Sequence, residues 1–182
     1  MMDAMTGEAD LDPVRIGFFG KLPSRGDFVR VNLSRALATA WDSWLQEVIP
    51  ASHEARDAAL GNASVWRFGF GAGVCGPRAA CGLFLPSADR VGRVFPLMIA
   101  AESAMATDAF LDAAERIGLE AIREAMPPEM LALRLSNAPR PLPASRASRA
   151  TRWWRRMSGE VVCELIGDAL PDAATFLRML SS

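Results

Sequence analysis

The 182-residue sequence has little of the chemistry that catalytic and metal sites require. It contains one histidine, His53, and three cysteines, Cys75, Cys81 and Cys163. A nucleophile activated by histidine would have to use His53, which stands in a polar segment typical of a solvated helix surface. A zinc site needs about four ligands in paired short spacings, which these residues do not supply. We therefore expect no enzyme activity, no metal, no cofactor, and cysteines that are free thiols.

The sequence also lacks a long apolar run. The longest stretches, Ala79–Leu85 and Phe95–Ala101, are much too short to span a bilayer. Residues 1–12 carry four acidic residues and no basic one, whereas a secretory signal needs a basic start and an apolar middle. We interpret these twelve residues as a flexible acidic tail. We expect the protein to be cytoplasmic and not to insert into a membrane.

Charge favours no particular polymer as a partner, because the net charge is −1. Lys21 is the only lysine, and the other basic residues are arginines. Residues 130–159 contain seven arginines and no acid, and Trp153 and Trp154 could stack on bases there. However, adjacent residues of a strand point to opposite faces of a sheet, so at least one of these tryptophans is expected in the core. We expect no nucleic-acid partner.

Hydrophobic periodicity predicts one α/β domain over residues 13–182. Strands are predicted where apolar residues alternate or form a short run, at 14–18, 66–70, 79–85, 97–101, 153–157 and 161–166. Helices are predicted near 34–48, 51–60, 108–122 and 171–180. Residues 129–150 are interpreted as a long Pro/Arg-rich connection. The predicted fold is a mixed, largely antiparallel sheet of about five to six strands with helices packed on both faces.

One glycine-rich motif invites a nucleotide-binding interpretation. Residues 71–76 spell G-x-G-x-x-G, but a dinucleotide site needs this motif between a strand and a helix, where helix amides meet the pyrophosphate. Here Pro77 and a strand-like run follow. A glycine-rich turn between two strands is the better interpretation.

Two polar segments offer the best candidates for a binding site, Gly20–Val29 after the first strand and Pro86–Leu97 between two later strands. We predict that they lie close together, with Arg90 or Arg93 pairing with Asp27. An arginine there either braces a loop through bidentate bonds to an aspartate or contributes to a surface of convergent polar groups. The candidate residues are Lys21, Arg25 and Asp27 in the first segment and Asp89, Arg90 and Arg93 in the second.

Both segments belong to longer motifs that occur in a recognisable order. The motifs are G-F-F-G-K-L-P-S-R-G-D-F-V, W-D-S-W-L, V-W-R-F, V-C-G-P and P-S-A-D-R-V-G-R-V-F-P-L. Together they closely resemble the TagF family of accessory proteins of bacterial type VI secretion systems. The resemblance implies an α/β sandwich that acts as a non-catalytic, post-translational repressor. Its implied partner is a forkhead-associated scaffold protein of the secretion apparatus.

Two classes of function stay open on the sequence. The first is this regulatory binding module. The second is a small-molecule or nucleotide-binding protein that uses the Lys21/Arg25/Asp27 and Asp89/Arg90/Arg93 loops as one site. A bound anion at the loops would favour the second class, and a flat surface there would favour the first.

Overall fold

A computed structural model describes residues 12–61, 63–144 and 149–181, so the predicted tail at residues 1–12 lies outside the described part except for Asp12. Nine strands and five helices are described in these ranges. In chain order they are β1 (Arg15–Gly20), β2 (Val29–Val31), α1 (Arg35–Val48), α2 (His53–Leu60), β3 (Trp66–Phe70), β4 (Ala80–Leu85), β5 (Leu97–Glu102), β6 (Ala104–Met105), α3 (Asp108–Arg123), α4 (Pro128–Ser136), β7 (Leu142–Pro143), β8 (Thr151–Met157), β9 (Glu160–Gly167) and α5 (Ala173–Leu180).

The main sheet has seven strands in the order β2-β1-β5-β4-β3-β8-β9, and each neighbouring pair in it is antiparallel. The predicted α/β class, the largely antiparallel sheet and the helices on both faces are confirmed, but the main sheet has seven strands rather than the predicted five to six. The missed strand of this sheet is β2, whose three residues are too few to show a periodicity. The two-residue strands β6 and β7, which pair with each other, were not predicted either. It pairs with β1 at the sheet edge, with Phe18 opposite Val31.

The segment 129–150 is not the continuous connection that we predicted, because its first residues belong to α4. Proline is favoured in the first turn of a helix, where its missing N–H would have no partner. Pro127 and Pro128 therefore separate α3 from α4 and also start α4. Leu131 and Leu135, one turn apart on α4, are side chains that this helix buries against the rest of the protein. Residues 145–148 of the same segment lie outside the described residues.

Different side chains fill the two faces of the sheet. On the face covered by α1 and α5, Trp41 packs against the rings of Phe68, Phe84 and Trp153 at centroid distances of 5.3–6.5 Å. On the face covered by α3 and α4, the core is mostly leucine, isoleucine and alanine, with Trp154 among them. Both adjacent tryptophans are thus buried on opposite faces, as alternation along a strand requires. Neither tryptophan is therefore exposed to stack on nucleic-acid bases.

Local signals place the helix boundaries. Ser34, Ser52, Thr107 and Asp172 each accept a hydrogen bond from the amide three residues later, which caps α1, α2, α3 and α5. Because Asp172 is the cap, α5 begins after Pro171 rather than at it. The G-x-G-x-x-G segment is a turn between β3 and β4, with positive φ at Gly73 and Gly76. No helix follows it, so the interpretation as a turn is confirmed.

Candidate functional site

The two polar loops emerge at the same end of the sheet because Gly20, the last residue of β1, pairs with Leu97, the first residue of β5. The loop 21–28 then lies beside the loop 86–96. The Arg90 amide donates to the Arg25 carbonyl at 2.8 Å, and the Ser87 hydroxyl donates to the Lys21 carbonyl at 2.7 Å. The predicted proximity of the loops is confirmed.

Asp89 organises this pair of loops. Its side chain is fully buried and accepts hydrogen bonds from Lys21 Nζ at 2.9 Å, from Arg93 Nε at 2.6 Å, and from the amides of Val91 and Arg93 at 3.0 Å. Burial raises the pKa of the Asp89 carboxyl, but these hydrogen bonds outweigh burial and hold the pKa well below its usual range. Asp89 is therefore an ionised acceptor at the centre of the loops.

The charged network differs from the predicted one in its partner. Arg93 pairs with Asp89, four residues earlier in the same loop, and not with Asp27, which is exposed. Arg93 also crosses to the first loop, where it donates to the Gly26 carbonyl at 2.5 Å. Lys21 is about 90% buried, with its ammonium group held by Asp89. Lys21, Asp89 and Arg93 thus brace one another, and their charges are largely satisfied within the protein.

Other candidate residues remain at the surface. The side chain of Arg25 is half exposed and pairs with exposed Glu129 at 3.0 Å, an ion pair worth about 0–1 kcal/mol. Arg90 and Asp27 are exposed. The loops also expose two apolar side chains, Phe28 at 47% and Val91 at 68%. Neither residue was among the sequence-predicted candidates, which were all polar, although a phenylalanine within a polar loop was a usable signal.

Phe28 forms one wall of a groove of about 650 Å³ between the first loop and helices α1 and α2. The Phe28 ring lies 5.8 Å from the ring of Phe19 and 4.6 Å, edge-on, from the ring of Phe95. We call this space the phenylalanine groove; its lining includes Phe19, Phe28, Leu45, Ile49, Arg56 and Phe95. The groove is continuous with the loop surface because Phe28 belongs to both.

Three polar side chains on the groove walls differ in how they are satisfied. Lys21 is held by Asp89, and Asp42 accepts a hydrogen bond from Gln46 at 2.7 Å. The Nε of Arg56 is buried without a hydrogen-bond partner among the residues that the structure describes. Arg56 is therefore the wall residue with unused hydrogen-bonding capacity.

Among the described residues outside this site, side chains with catalytic or ligating potential do not converge. His53 is exposed at the start of α2. Cys75 and Cys81 are buried, and burial raises the pKa of both thiols to about 12, so they are protonated near neutral pH. Within the described ranges, no three His, Cys, Asp or Glu side chains are grouped to hold a metal ion. None of the helices described between residues 12 and 181 combines the length and hydropathy of a membrane span.

Comparison with known proteins gives this geometry its context. No curated protein matches the sequence significantly. The fold is similar to the crystal structure of PA0076 from Pseudomonas aeruginosa PAO1, with a TM-score of 0.76 and 28% sequence identity over 91% of this chain and 93% of that chain. The model of the TagF N-terminal domain family, described as type VI secretion system-associated, matches residues 17–138 and so includes both loops and the phenylalanine groove. The chain belongs to this family of type VI secretion-associated proteins.

Proposed function

We propose that the protein is a non-catalytic repressor of a bacterial type VI secretion system that acts by binding a forkhead-associated scaffold protein. Family membership supplies the association with secretion. The observation that carries a binding role is the loop pair, in which Lys21, Asp89 and Arg93 are used to hold the loops in shape. Groups satisfied in this way support a rigid docking surface better than proton transfer or ligand capture.

The exposed part of the loop pair has the composition of a protein-binding surface. Arg90, Val91 and Phe28 are exposed beside the braced residues. Aromatic side chains and arginine are enriched where protein interfaces are energetically important, because both bury a large area and arginine also makes several hydrogen bonds. A rigid backbone beneath them lowers the entropy that is lost on association. The same features do not favour the small-molecule alternative.

The repressor role is tested in the native organism. Excess of the protein is expected to suppress secretion of the tube protein into the medium, and deletion of its gene is expected to raise it. Secretion that is unchanged in both strains would contradict repression. Direct binding is tested separately by calorimetry with the purified scaffold protein of the same secretion system.

Substitution of the two loop arginines, Arg90 and Arg93, distinguishes a role in the interface from a role in stability. Arg90→Ala is expected to weaken scaffold binding by about 2 kcal/mol, roughly thirtyfold, and to leave stability within about 0.5 kcal/mol because the side chain is exposed. Arg93→Ala is expected to lower the melting temperature as well, since Arg93 holds Asp89 and Gly26. Arg116→Ala, an exposed arginine on α3 at the opposite face, is the control. If Arg90→Ala binds the scaffold protein with unchanged affinity, Arg90 does not contribute to the interface.

A further inference from the structure

We infer that the phenylalanine groove binds an extended acidic segment of a partner protein, with an apolar side chain against Phe28 and Phe95 and a carboxylate beside Arg56. The inference rests on the proposed function for the identity of the partner. It goes further in assigning a second binding feature next to the loops and in naming the chemistry of the segment that occupies it.

The apolar part of the inference comes from the exposure of Phe28. This side chain is about half exposed although its ring already contacts Phe19 and Phe95. Leu45 and Ile49 of the neighbouring helix region line the same space. Leu45, Ile49 and Phe95 are at most 7% exposed, so an apolar side chain in the groove would pack mainly on the exposed part of the Phe28 ring. It would remove that surface from water, which favours association.

The acidic part comes from the unmatched donor of Arg56, which also lines the groove. A buried N–H without an acceptor carries a desolvation cost, which a ligand acceptor would remove once the Arg56 guanidinium turned toward the groove. Arg56 Nε is such a donor among the described residues, while Asp42 and Lys21 on the same walls are already engaged with Gln46 and Asp89. A carboxylate is the acceptor that matches guanidinium best in charge and planar geometry. The groove therefore favours an acidic side chain beside its apolar anchor.

The position of the groove favours a protein segment as the occupant. Phe28 stands at the boundary between the groove and the loops, where Arg90 is exposed, while Arg25 is paired with Glu129 and Arg93 with Asp89. A segment that left the groove past Phe28 toward the loops would approach Arg90. A further acidic residue in such a segment would thus find a complementary charge there.

The first experiment uses defined probes with the full chain. Three peptides are titrated into ¹⁵N-labelled protein: acetyl-Gly-Glu-Phe-Glu-Gly-amide, the same peptide with lysine for glutamate, and the same peptide with alanine for phenylalanine. The first is expected to shift the Arg56 Nε–Hε signal and the Phe28 amide, and the other two to bind at least tenfold more weakly. Equal binding of the lysine peptide would overturn the acidic assignment, and equal binding of the alanine peptide would overturn the apolar anchor.

Matched variants locate the binding in the groove. Phe28→Ala and Arg56→Met are each expected to lose at least tenfold in affinity for the first peptide, while Arg116→Met on the opposite face retains it. Arg56→Lys, which keeps the charge but not the planar fork, is expected to fall between. Melting temperatures of all variants establish that each is folded. Inorganic phosphate is titrated in parallel, and an equal affinity for phosphate would show a small-anion site and overturn the inference.

The scaffold protein separates the two proposals. If it binds the unmodified protein and binds Phe28→Ala and Arg56→Met equally well, the groove inference fails and the proposed function stands. If it does not bind at all while the acidic peptide binds in the groove, the proposed function fails and the groove inference stands. A parallel loss of scaffold and peptide binding in both variants supports both.

Discussion

Removing the buried charge of Arg67 is expected to destabilise the fold less than removing its partner carboxylate, Glu115. Arg67 lies on β3 with its side chain 6% exposed, facing α3. Its Nη2 contacts Asp112 and Glu115 at 2.7 Å each, and its Nε contacts Glu115 at 3.2 Å. Burial lowers the pKa of Arg67, but the two carboxylates outweigh it and the pKa is raised, so the group stays charged. Nη1 has no partner among the described residues.

The two sides of this pair differ in access to water. Glu115→Ala removes two of the three hydrogen bonds and leaves a buried cation with Asp112 alone, which is expected to cost about 3 kcal/mol. Arg67→Met removes the buried charge and keeps most of the apolar stem. It leaves Glu115 at 29% and Asp112 at 59% exposure, where water can solvate them. We therefore expect Arg67→Met to cost about 1 kcal/mol or less.

Urea denaturation followed by tryptophan fluorescence measures both variants, with equal m-values required for the comparison. The double variant Arg67→Met/Glu115→Ala is expected to resemble Arg67→Met, because Glu115→Ala is harmful only while the cation is present. This double-mutant cycle should give a coupling of about 3 kcal/mol, the full cost of Glu115→Ala in the presence of the cation. A larger loss for Arg67→Met than for Glu115→Ala would refute the reasoning.

Two further predictions concern backbone packing and thiol reactivity. Gly82→Ala is expected to cost about 3 kcal/mol or more, because its Cβ would lie 2.0 Å from the Ile99 carbonyl oxygen, whereas Gly69→Ala on the next strand meets nothing within 4 Å and serves as the control in the same urea experiment. With Ellman's reagent at pH 8, the partly exposed Cys163 is expected to react first and the two buried cysteines only in denaturant, since their raised pKa keeps them as thiols; three equally fast thiols in the native protein would contradict their burial.

Local pattern was sufficient for most elements of the fold. Alternating apolar residues located β1 and β3, and apolar spacing with a capping residue located α1 and α3. The pairing of β3 with β8 was outside the reach of sequence because it joins strands separated by about half the chain. Likewise, no helix was predicted directly after the one at 108–122, although Pro127 and Pro128 can begin a helix, as α4 shows.

The candidate site was predicted in position but not in its bonds. The loops at 20–29 and 86–97 were expected to meet, and they do. The partner of Arg93 was wrong because an aspartate within a turn bonds first to its own nearby backbone and side chains, and Asp89 does so with Val91 and Arg93. The contribution of Arg56 to the groove depends on how α2 packs beside the first loop, which no local pattern encodes.

The place of β8 in the sheet distinguishes the stretch that the family model matches from the unit that folds. The family match stops at residue 138, yet β8 lies between β3 and β9, and Trp153 fills the core that surrounds Trp41. A fragment cut at the family boundary would present Phe68 and the free side of β3 to solvent, a surface that promotes aggregation. Gene fusions, truncations and transplants of this module should therefore carry the chain through α5.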